Sequence, residues 1–310
     1  VVAAAHEERF TRKKHDDRFP TQAIRFCLSH ASLTIDELDA VVFYDKPFLK
    51  FERILATFYA TAPAGLGPFL KAMPLWLSGK LNLKSTIKKE LKQAFDKMAK
   101  NVPIYFSEHH LSHAASAYYC SGMNEATVLT IDGVGEWATA SIMHGQGKQL
   151  KVLHEMHFPH SLGLLYSTFT AYLGFRVNNG EYKLMGLAPY GEADNDSVKV
   201  LEHKILQEMI SLHHDGSLHL NMAYFAFLSG NKMYRPAKWQ QLLGIAPRKA
   251  ESELRQEHKN LALAIQRVTN EAVMRMARHA KALTGSDNLC MAGGVALNCT
   301  ANGLLSKSTV

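Results

Sequence analysis

The stretch Thr127-Val128-Leu129-Thr130-Ile131-Asp132-Gly133-Val134-Gly135-Glu136 joins a run suited to a buried strand to an acid and two glycines. β-Branched residues and leucine fill Thr127–Ile131, so the strand delivers Asp132 at its end. Gly133-Val134-Gly135-Glu136 then turns the chain back into a second strand, Ala138–His144, and Leu150–Phe158 follows as a third. Glycines beside Asp132 let backbone N–H groups approach a phosphate, and the carboxylate can hold a cation. Asp-Gly also marks ordinary hairpin turns, so the motif takes its meaning from what surrounds it.

Upstream lies Ser107-Glu108-His109-His110-Leu111-Ser112-His113. A helix is expected from about His110 to Ser121. At its start His109 and His113, four apart, share a face with imidazoles close enough for one metal ion, while His110 points elsewhere. A single histidine is more often capped or exposed than ligating. Two at this spacing, directly after a strand, point to a metal or a phosphate. The lack of HExxH argues against a zinc protease, and Asp132 is the candidate carboxylate ligand. A metal held by all three would sit in a cleft between the part of the chain that the histidines close and the part that Asp132 opens.

Strands are also expected at Val2–Ala5, Ala40–Tyr44 and Pro103–Phe106, with helices at Thr21–His30 and Phe48–Ala60. After Gly122-Met123-Asn124 the pattern restarts. Beyond the three strands come helices Leu162–Leu173, Val198–Ser211 and about Glu253–Leu283, the last with Leu254, Leu261, Ile265, Val268, Ala272 and Met276 on one face, then strand Asn288–Met291. This alternation predicts an α/β protein of two lobes, 1–122 and 123–310, with a cleft between them. The loop Met291-Ala292-Gly293-Gly294-Val295-Ala296-Leu297-Asn298 follows a strand as a nucleotide-binding loop would, or as a closely packed turn would. Asn178–Gly191 reads as a polar loop running into a short apolar stretch, in which Glu181 and Lys183 are candidate substrate contacts. Glu7–Asp16 is either a solvated loop or the carrier of a phosphate-facing lysine.

At 310 residues the chain is long for one core, and 47% hydrophobic with 20% charged residues excludes a disordered tail or a fibre. Cys27, Cys120, Cys290 and Cys299 form no CxxC pair, so a reducing compartment, the cytoplasm, is expected. Ala60–Leu77 is the most membrane-like stretch, but prolines, glycines and a lysine interrupt it, so no membrane partner is expected. Of the net charge of +7, the segment Lys71–Lys100 accounts for +6 through eight lysines against Glu90 and Asp96. Leu81, Leu83, Ile87, Leu91, Phe95 and Met98 give that segment a helical apolar face. A solvated helix is therefore expected there, and no nucleic-acid partner. The chain starts at Val1, and Val1–Ala5 reads as the tail of a strand with nothing before it to pair with, as in a fragment.

Together these motifs resemble the O-carbamoyltransferases of the nodulation-protein and antibiotic-tailoring type. The resemblance is carried in order by EERFTRKKHD (Glu7–Asp16), FPTQAIRFCL (Phe19–Leu28), EHHLSHAASAYY (Glu108–Tyr119), TIDGVGEWATAS (Thr130–Ser141), NNGEYKLMGLAPYG (Asn178–Gly191) and GGVALNCTANG (Gly293–Gly303). It implies a two-lobed actin-like ATPase fold (ASKHA, RNase H-like), similar to the universal tRNA threonylcarbamoyltransferase. A carboxy-terminal domain that makes carbamoyl-adenylate from carbamoyl phosphate and ATP would follow, and it is absent from these residues. The implied activity is metal-assisted transfer of the carbamoyl group from carbamoyl-adenylate to a hydroxyl of a small-molecule or sugar acceptor. By the same resemblance, His109, His113 and Asp132 are ligands of a divalent metal, Fe(II), and Gly133 contacts the nucleotide phosphate through its backbone. Lys14 stands near the carbamoyl-adenylate as a catalytic and binding residue. Gly293, Gly294 and Asn298 line the nucleoside pocket, and Glu181 and Lys183 contact substrate. The family's general-base histidine, in an HDSA-type segment, and its last aspartate ligand, in a GDxGxxxGA-type segment, have no counterpart here. The chain is expected to be incomplete at both ends and inactive alone.

Two other readings stand beside this one. A sugar kinase or other ATPase of the same superfold would hydrolyse Mg-ATP without a transition metal at the histidine pair. A non-catalytic nucleotide-binding module would keep the cleft alone.

Overall fold

Runs of β-branched and apolar residues form the central strands and 3.6-residue apolar stripes the helices of the computed structural model, which describes residues 1–14, 16–78, 82–95, 102–230 and 232–308. Helices α1 (Glu7–Thr11) and α2 (Thr21–His30) lead to strand β1 (Val41–Phe43). Helices α3 (Pro47–Thr61), α4 (Leu66–Ser78) and α5 (Leu83–Ala94) precede β2 (Ile104–Phe106), which pairs with β1 in parallel, Val41 opposite Ile104. Helix α6 (His109–Tyr118) follows directly.

The main sheet is built from β3 (Glu125–Ile131), β4 (Ala138–Gln146) and β5 (Gln149–His157). Next come α7 (Leu162–Tyr172), α8 (Glu181–Leu187), α9 (Asp196–Lys204), the hairpin β6 (Ile210–Leu212) and β7 (Leu218–Leu220), and α10 (Pro236–Leu243). The 29-residue helix α11 (Gln256–Thr284), strand β8 (Leu289–Ala292) and α12 (Cys299–Leu305) complete the described chain. Strand order is β5-β4-β3-β8, with β3 antiparallel to β4 and parallel to β8, a mixed sheet of an α/β protein.

Strand β3 is buried on both faces, and its alternation decides where Asp132 points. Ala126 and Val128 pack with Ala114 and Tyr118 of α6, while Thr130 meets His110 of α6 at 2.6 Å. Leu129 and Ile131 belong to the larger core on the opposite face, shared with α7 and α11. Each fully buried leucine or isoleucine there contributes roughly 1.5–3 kcal/mol. Even-numbered side chains therefore face α6, and Asp132 is the next in that series. On α6 itself, His110, Ala114 and Tyr118, four apart, form the buried stripe, which turns His109 and His113 together to its flank.

Several expectations need correction. Residues Val2–Ala5 form no strand: no strand among the described residues pairs with them, and Val1 and Val2 are 96% and 73% exposed. Glu7–Thr11 is helical rather than loop. The helix expected over Val198–Ser211 stops at Lys204, continues as a π-turn over Ile205–Met209 and becomes β6, where Ile210 and Leu212 pair with Leu220 and Leu218. Glu181–Leu187 is a helix rather than part of a polar loop, and its first side chain holds the residues before it as described below.

The long helix, the β3–β5 meander and β8 lie where the sequence put them. Helix α5 buries Ile87 and Leu91 and exposes Lys84, Lys89 and Lys92, the amphipathic arrangement expected. His15, Lys80, Leu81, Asp96, Lys97, Met98 and Lys100 lie outside the described residues. Among the described residues no helix is long and apolar enough to cross a membrane, and all four cysteines are free. Helix α6, before Gly122, covers the sheet that begins after it.

Candidate metal centre and adjoining cavity

Three side chains converge where β3 ends beside the start of α6. Asp132 Oδ2 lies 2.9 Å from His109 Nε2 and 3.0 Å from His113 Nε2, and the two imidazole nitrogens are 3.1 Å apart. Their ligand atoms all fall within 4.8 Å of one another. Two imidazoles and a carboxylate form a donor set suited to a first-row divalent ion, and this convergence fits one.

The set is held from behind. His109 Nδ1 donates to Asp45 Oδ1 at 2.7 Å, and Asp45 Oδ2 accepts from Lys50 Nζ at 2.5 Å. A proton fixed on Nδ1 by Asp45 leaves Nε2 to face the centre, the arrangement outer-shell carboxylates impose on metal-binding histidines. Burial opposes an imidazolium at His109, yet hydrogen bonds to Asp132 and Asp45 outweigh it and hold the group up at about 9. Burial likewise opposes charge on Asp132, but His109, His113 and the Gly133 N–H hold it well below the usual carboxylate range. Asp45 is lowered for the same kind of reason: His109 and Lys50 outweigh its burial. Asp45, Lys50, His109 and Asp132 thus form a compact network of charges.

Backbone fixes the remaining geometry. Asp132 Oδ1 accepts from the N–H of Gly133 at 2.7 Å and of Gly294 at 3.3 Å. Buried Glu136 accepts from the backbone N–H of His109 at 3.0 Å and of Lys46 at 2.7 Å, which ties the hairpin to the start of α6. Gly135 sits on α6 so closely that a Cβ would meet His109 Cβ and His110 Cδ2 at 3.0 Å. A Cβ on Gly163, at the start of α7, would come within 2.5 Å of the Asp132 carbonyl oxygen. Ser161, which caps α7, donates to the Gly133 carbonyl at 2.6 Å.

Beside the centre opens a cavity of about 400 Å³. Asp132, Gly133, Glu181, Gly294 and Asn298 all line it, so the hairpin, α8 and the loop after β8 meet there. Glu181 is a bracket: its carboxylate accepts from Ser167 Oγ at 2.7 Å, from Asn178 N at 2.9 Å and from Gly180 N at 3.1 Å. Asn298 caps α12 by accepting from Ala301 N at 3.1 Å and exchanges hydrogen bonds with Gln266, which also accepts from Tyr166 Oη at 2.8 Å.

The structure does not bring Lys14, Lys183 or Gly293 to the cavity lining. Lys14 is exposed beyond α1, and Lys183 is exposed on α8. Gly293, at φ +94°, lies against the backbone of Ile131, where a side chain would collide with that residue's carbonyl. Asp45, Gly163, Tyr166 and Gln266 escaped the sequence reading, and Glu136 was quoted without a role. Only Asp45 carried a signal: it follows the apolar run Val41–Tyr44 just as Asp132 follows Thr127–Ile131.

The family described as Carbamoyltransferase N-terminus matches residues 1–310. An uncharacterized protein of Synechocystis sp. is 52% identical over 308 residues, covering 99% of this chain and 49% of that protein. Nodulation protein NolNO of Sinorhizobium fredii is 32% identical over 314 residues, covering 100% of this chain and 41% of its own length. Nodulation protein NolO of Bradyrhizobium diazoefficiens is 32% identical over 200 residues, 64% of this chain and 33% of that protein. The chain spans about half or less of these curated relatives. With the match running over its whole length, the chain belongs to the carbamoyltransferase family, as an amino-terminal region of its members.

Proposed function

We propose that this chain is the part of a carbamoyltransferase that moves a carbamoyl group from carbamoyl-adenylate, made from carbamoyl phosphate and ATP, to an acceptor hydroxyl. The observation that carries the proposal is the adjacency of the His109, His113, Asp132 cluster to the cavity rimmed by Gly133, Gly294 and Asn298. The parallel β3–β8 pair beside the antiparallel β3–β4–β5 meander supports the actin-like fold as its scaffold. On that scaffold, residues 1–122 and 123–310 are read as two lobes, with α6 reaching across.

In the proposed reaction the acceptor oxygen bonds to the carbamoyl carbon as the bond from that carbon to the adenylate phosphate oxygen breaks. AMP leaves with the electron pair, the carbamate ester remains on the acceptor, and the hydroxyl proton passes to a base. His109, His113 and Asp132 would hold a divalent ion, Fe(II), whose positive charge would stabilise the leaving phosphate. Asp45 and Lys50 keep His109 turned toward the centre. Gly133 and Gly294 donate their backbone N–H groups to Asp132 Oδ1 and so fix that carboxylate at the rim of the cavity. Gln266 and Tyr166 hold Asn298 in place, and Glu181 fixes residues 178–180. Each side chain is set before substrate arrives, so little reorganisation is left for the reaction itself.

The test supplies the full-length protein with carbamoyl phosphate, ATP and a panel of hydroxylated compounds and reads the product by mass. His109→Ala and Asp132→Ala should lower transfer by more than about 100-fold, the upper end for losing even an outer-shell partner, together with the bound metal. Unchanged turnover in either variant would remove the site assignment.

A further inference from the structure

We propose that His154 of β5, His279 of α11 and Asp215 in the β6–β7 turn form a second metal site, for Zn²⁺, on the face of the main sheet opposite α6. It is separate from the His109 centre and does not depend on the transfer reading above.

The two histidines are 125 residues apart in sequence, yet His154 Nδ1 and His279 Nε2 lie 3.3 Å from each other. Two imidazole nitrogens bound to one tetrahedral zinc at about 2.0–2.1 Å stand roughly 3.3–3.4 Å apart. A hydrogen bond from one ring to the other would be a long one at that distance.

Packing brings the three elements to one place. On β5, His154 lies opposite Ile142 and Met156 opposite Ala140, and both partners belong to the core shared with α11. That face of the strand is therefore the one beneath α11. On α11, Met276 and His279 are three apart and share a face. The β6–β7 hairpin is fastened to both neighbours: Leu218 N donates to Met156 Sδ at 3.4 Å, and Arg275 Nη1 donates to the His213 carbonyl at 3.2 Å. Gly216, at φ +82°, packs so tightly on α11 that a Cβ there would collide with Met276 N. Met276 is one turn before His279, and Asp215 immediately precedes Gly216, so the hairpin turn delivers its carboxylate beside the histidine pair. Asp215, His154 and His279 accordingly line one cavity of about 350 Å³.

The carboxylate is prepared for a cation. Burial opposes charge on Asp215, but hydrogen bonds from the Ser217 hydroxyl at 2.7 Å and N–H at 2.9 Å, with His279 and His213 nearby, hold it below the usual carboxylate range. Both bonds fall on Oδ1, and Oδ2 is the oxygen offered to the ion. Two imidazoles and a carboxylate, open to solvent at the exposed His154, suit Zn²⁺ with water as its fourth ligand. The ion would join β5, the hairpin and the last turns of α11.

Two neighbouring groups are rivals for that role. Glu155 also lines the cavity, but its carboxylate is engaged by His157 at 3.0 Å. His213 Nε2 and His219 Nδ1 are 3.2 Å apart, but both belong to the hairpin and neither lines the cavity with Asp215.

The experiment uses untagged full-length protein, stripped of metal and titrated with Zn²⁺ by calorimetry at neutral pH, with bound zinc counted by mass. The His109 centre fills in every variant and gives the internal count. Wild type should bind one equivalent more than His154→Ala. Asp215→Asn should weaken that equivalent by more than about tenfold, the least expected for an outer-shell partner, and His219→Ala should leave it unchanged. His279→Gln stands in for His154→Ala if that variant does not fold, with the same loss expected.

An equal zinc count in wild type and the folded histidine variant overturns the site. Loss of the equivalent in His219→Ala also overturns it, because the ion would then belong to the hairpin pair. An unchanged affinity in Asp215→Asn overturns the three-ligand assignment.

Discussion

Asp45 makes no contact with the proposed ion, yet its replacement should weaken metal binding by one to two orders of magnitude. Two bonds meet on its carboxylate: 2.7 Å from His109 Nδ1 and 2.5 Å from Lys50 Nζ. Losing an outer-shell partner of a ligating histidine typically costs 10–100-fold in affinity, or about 1.4–2.8 kcal/mol. The two obvious substitutions should divide that range. In Asp45→Asn the amide oxygen still accepts from Nδ1, so the ring keeps its orientation and only the charge is lost, for a fall near tenfold. In Asp45→Ala the ring is no longer held, and the fall should approach 100-fold.

Titration of metal-free protein with Co²⁺, followed by visible absorption and by competition with a chelator, reads these affinities directly. The pH dependence adds a second measurement. Because metal-free His109 is held up at about 9, an ion entering at neutral pH expels the Nε2 proton. Apparent affinity should therefore climb about tenfold per pH unit up to about 9 and flatten above it. Asp45→Ala removes one of the two bonds that raise His109, so its plateau should begin at lower pH. If Asp45→Ala holds Co²⁺ within threefold of wild type while His113→Ala abolishes binding, the bracing role argued for Asp45 is wrong.

Three further outcomes follow from the same geometry. Gly163→Ala places a Cβ within 2.5 Å of the Asp132 backbone, where neither α7 nor β3 can easily yield. It should lower stability by about 1–3 kcal/mol and weaken Co²⁺ binding at once, and a urea midpoint and titration both equal to wild type would show the packing to be looser than drawn. His110 is buried, and desolvation first, with the neighbouring His109 charge next, pushes it down to about 4. The unfolded chain thus binds the extra proton between about pH 6.5 and 4, so stability falls as pH drops through that window, by no more than about 3 kcal/mol. His110→Gln should flatten that part of the melting-temperature profile, and an unaltered slope there counts against the assignment. Glu181→Ala frees Ser167, Asn178 and Gly180 and should raise the nucleotide KM more than it lowers kcat, an expectation that a pure kcat defect in steady-state assays would reverse.

What was legible in the sequence is what short-range periodicity encodes. The run of β-branched residues and leucine along Thr127–Ile131 and the four-residue step from His109 to His113 are local patterns, and together they nominate three candidate ligands before any fold is known. The sheet alternation then explains why they meet, since Asp132 continues the face of Ala126, Val128 and Thr130 that packs on α6.

Val2–Ala5 looked like a strand because its composition is right, but a strand also needs a neighbour to take its backbone hydrogen bonds, and composition does not supply one. The helix over Val198–Ser211 was overrun because Ile205–Met209 keeps a helical apolar pattern through a π-turn, and only pairing with Leu218–Leu220 makes a strand of the three residues after it. Gly163 was hidden for a different reason. Inside a helix a glycine reads as a weak helix former, and the need for it lies in the approach of another segment 30 residues away in sequence.

Asp45 is the instructive case, because its local grammar, an apolar strand ending in an acid, is that of Asp132. One of the two acids reaches the centre and the other braces a histidine from behind, and the difference comes from which strand end lies beside α6 and at what height. Side-chain type and strand-end position can therefore nominate both acids. Only the placement of α6, packed on the main sheet with His109 reaching Asp45 just beyond β1, assigns their roles, which makes the orientation of that helix the step on which the proposed chemistry depends.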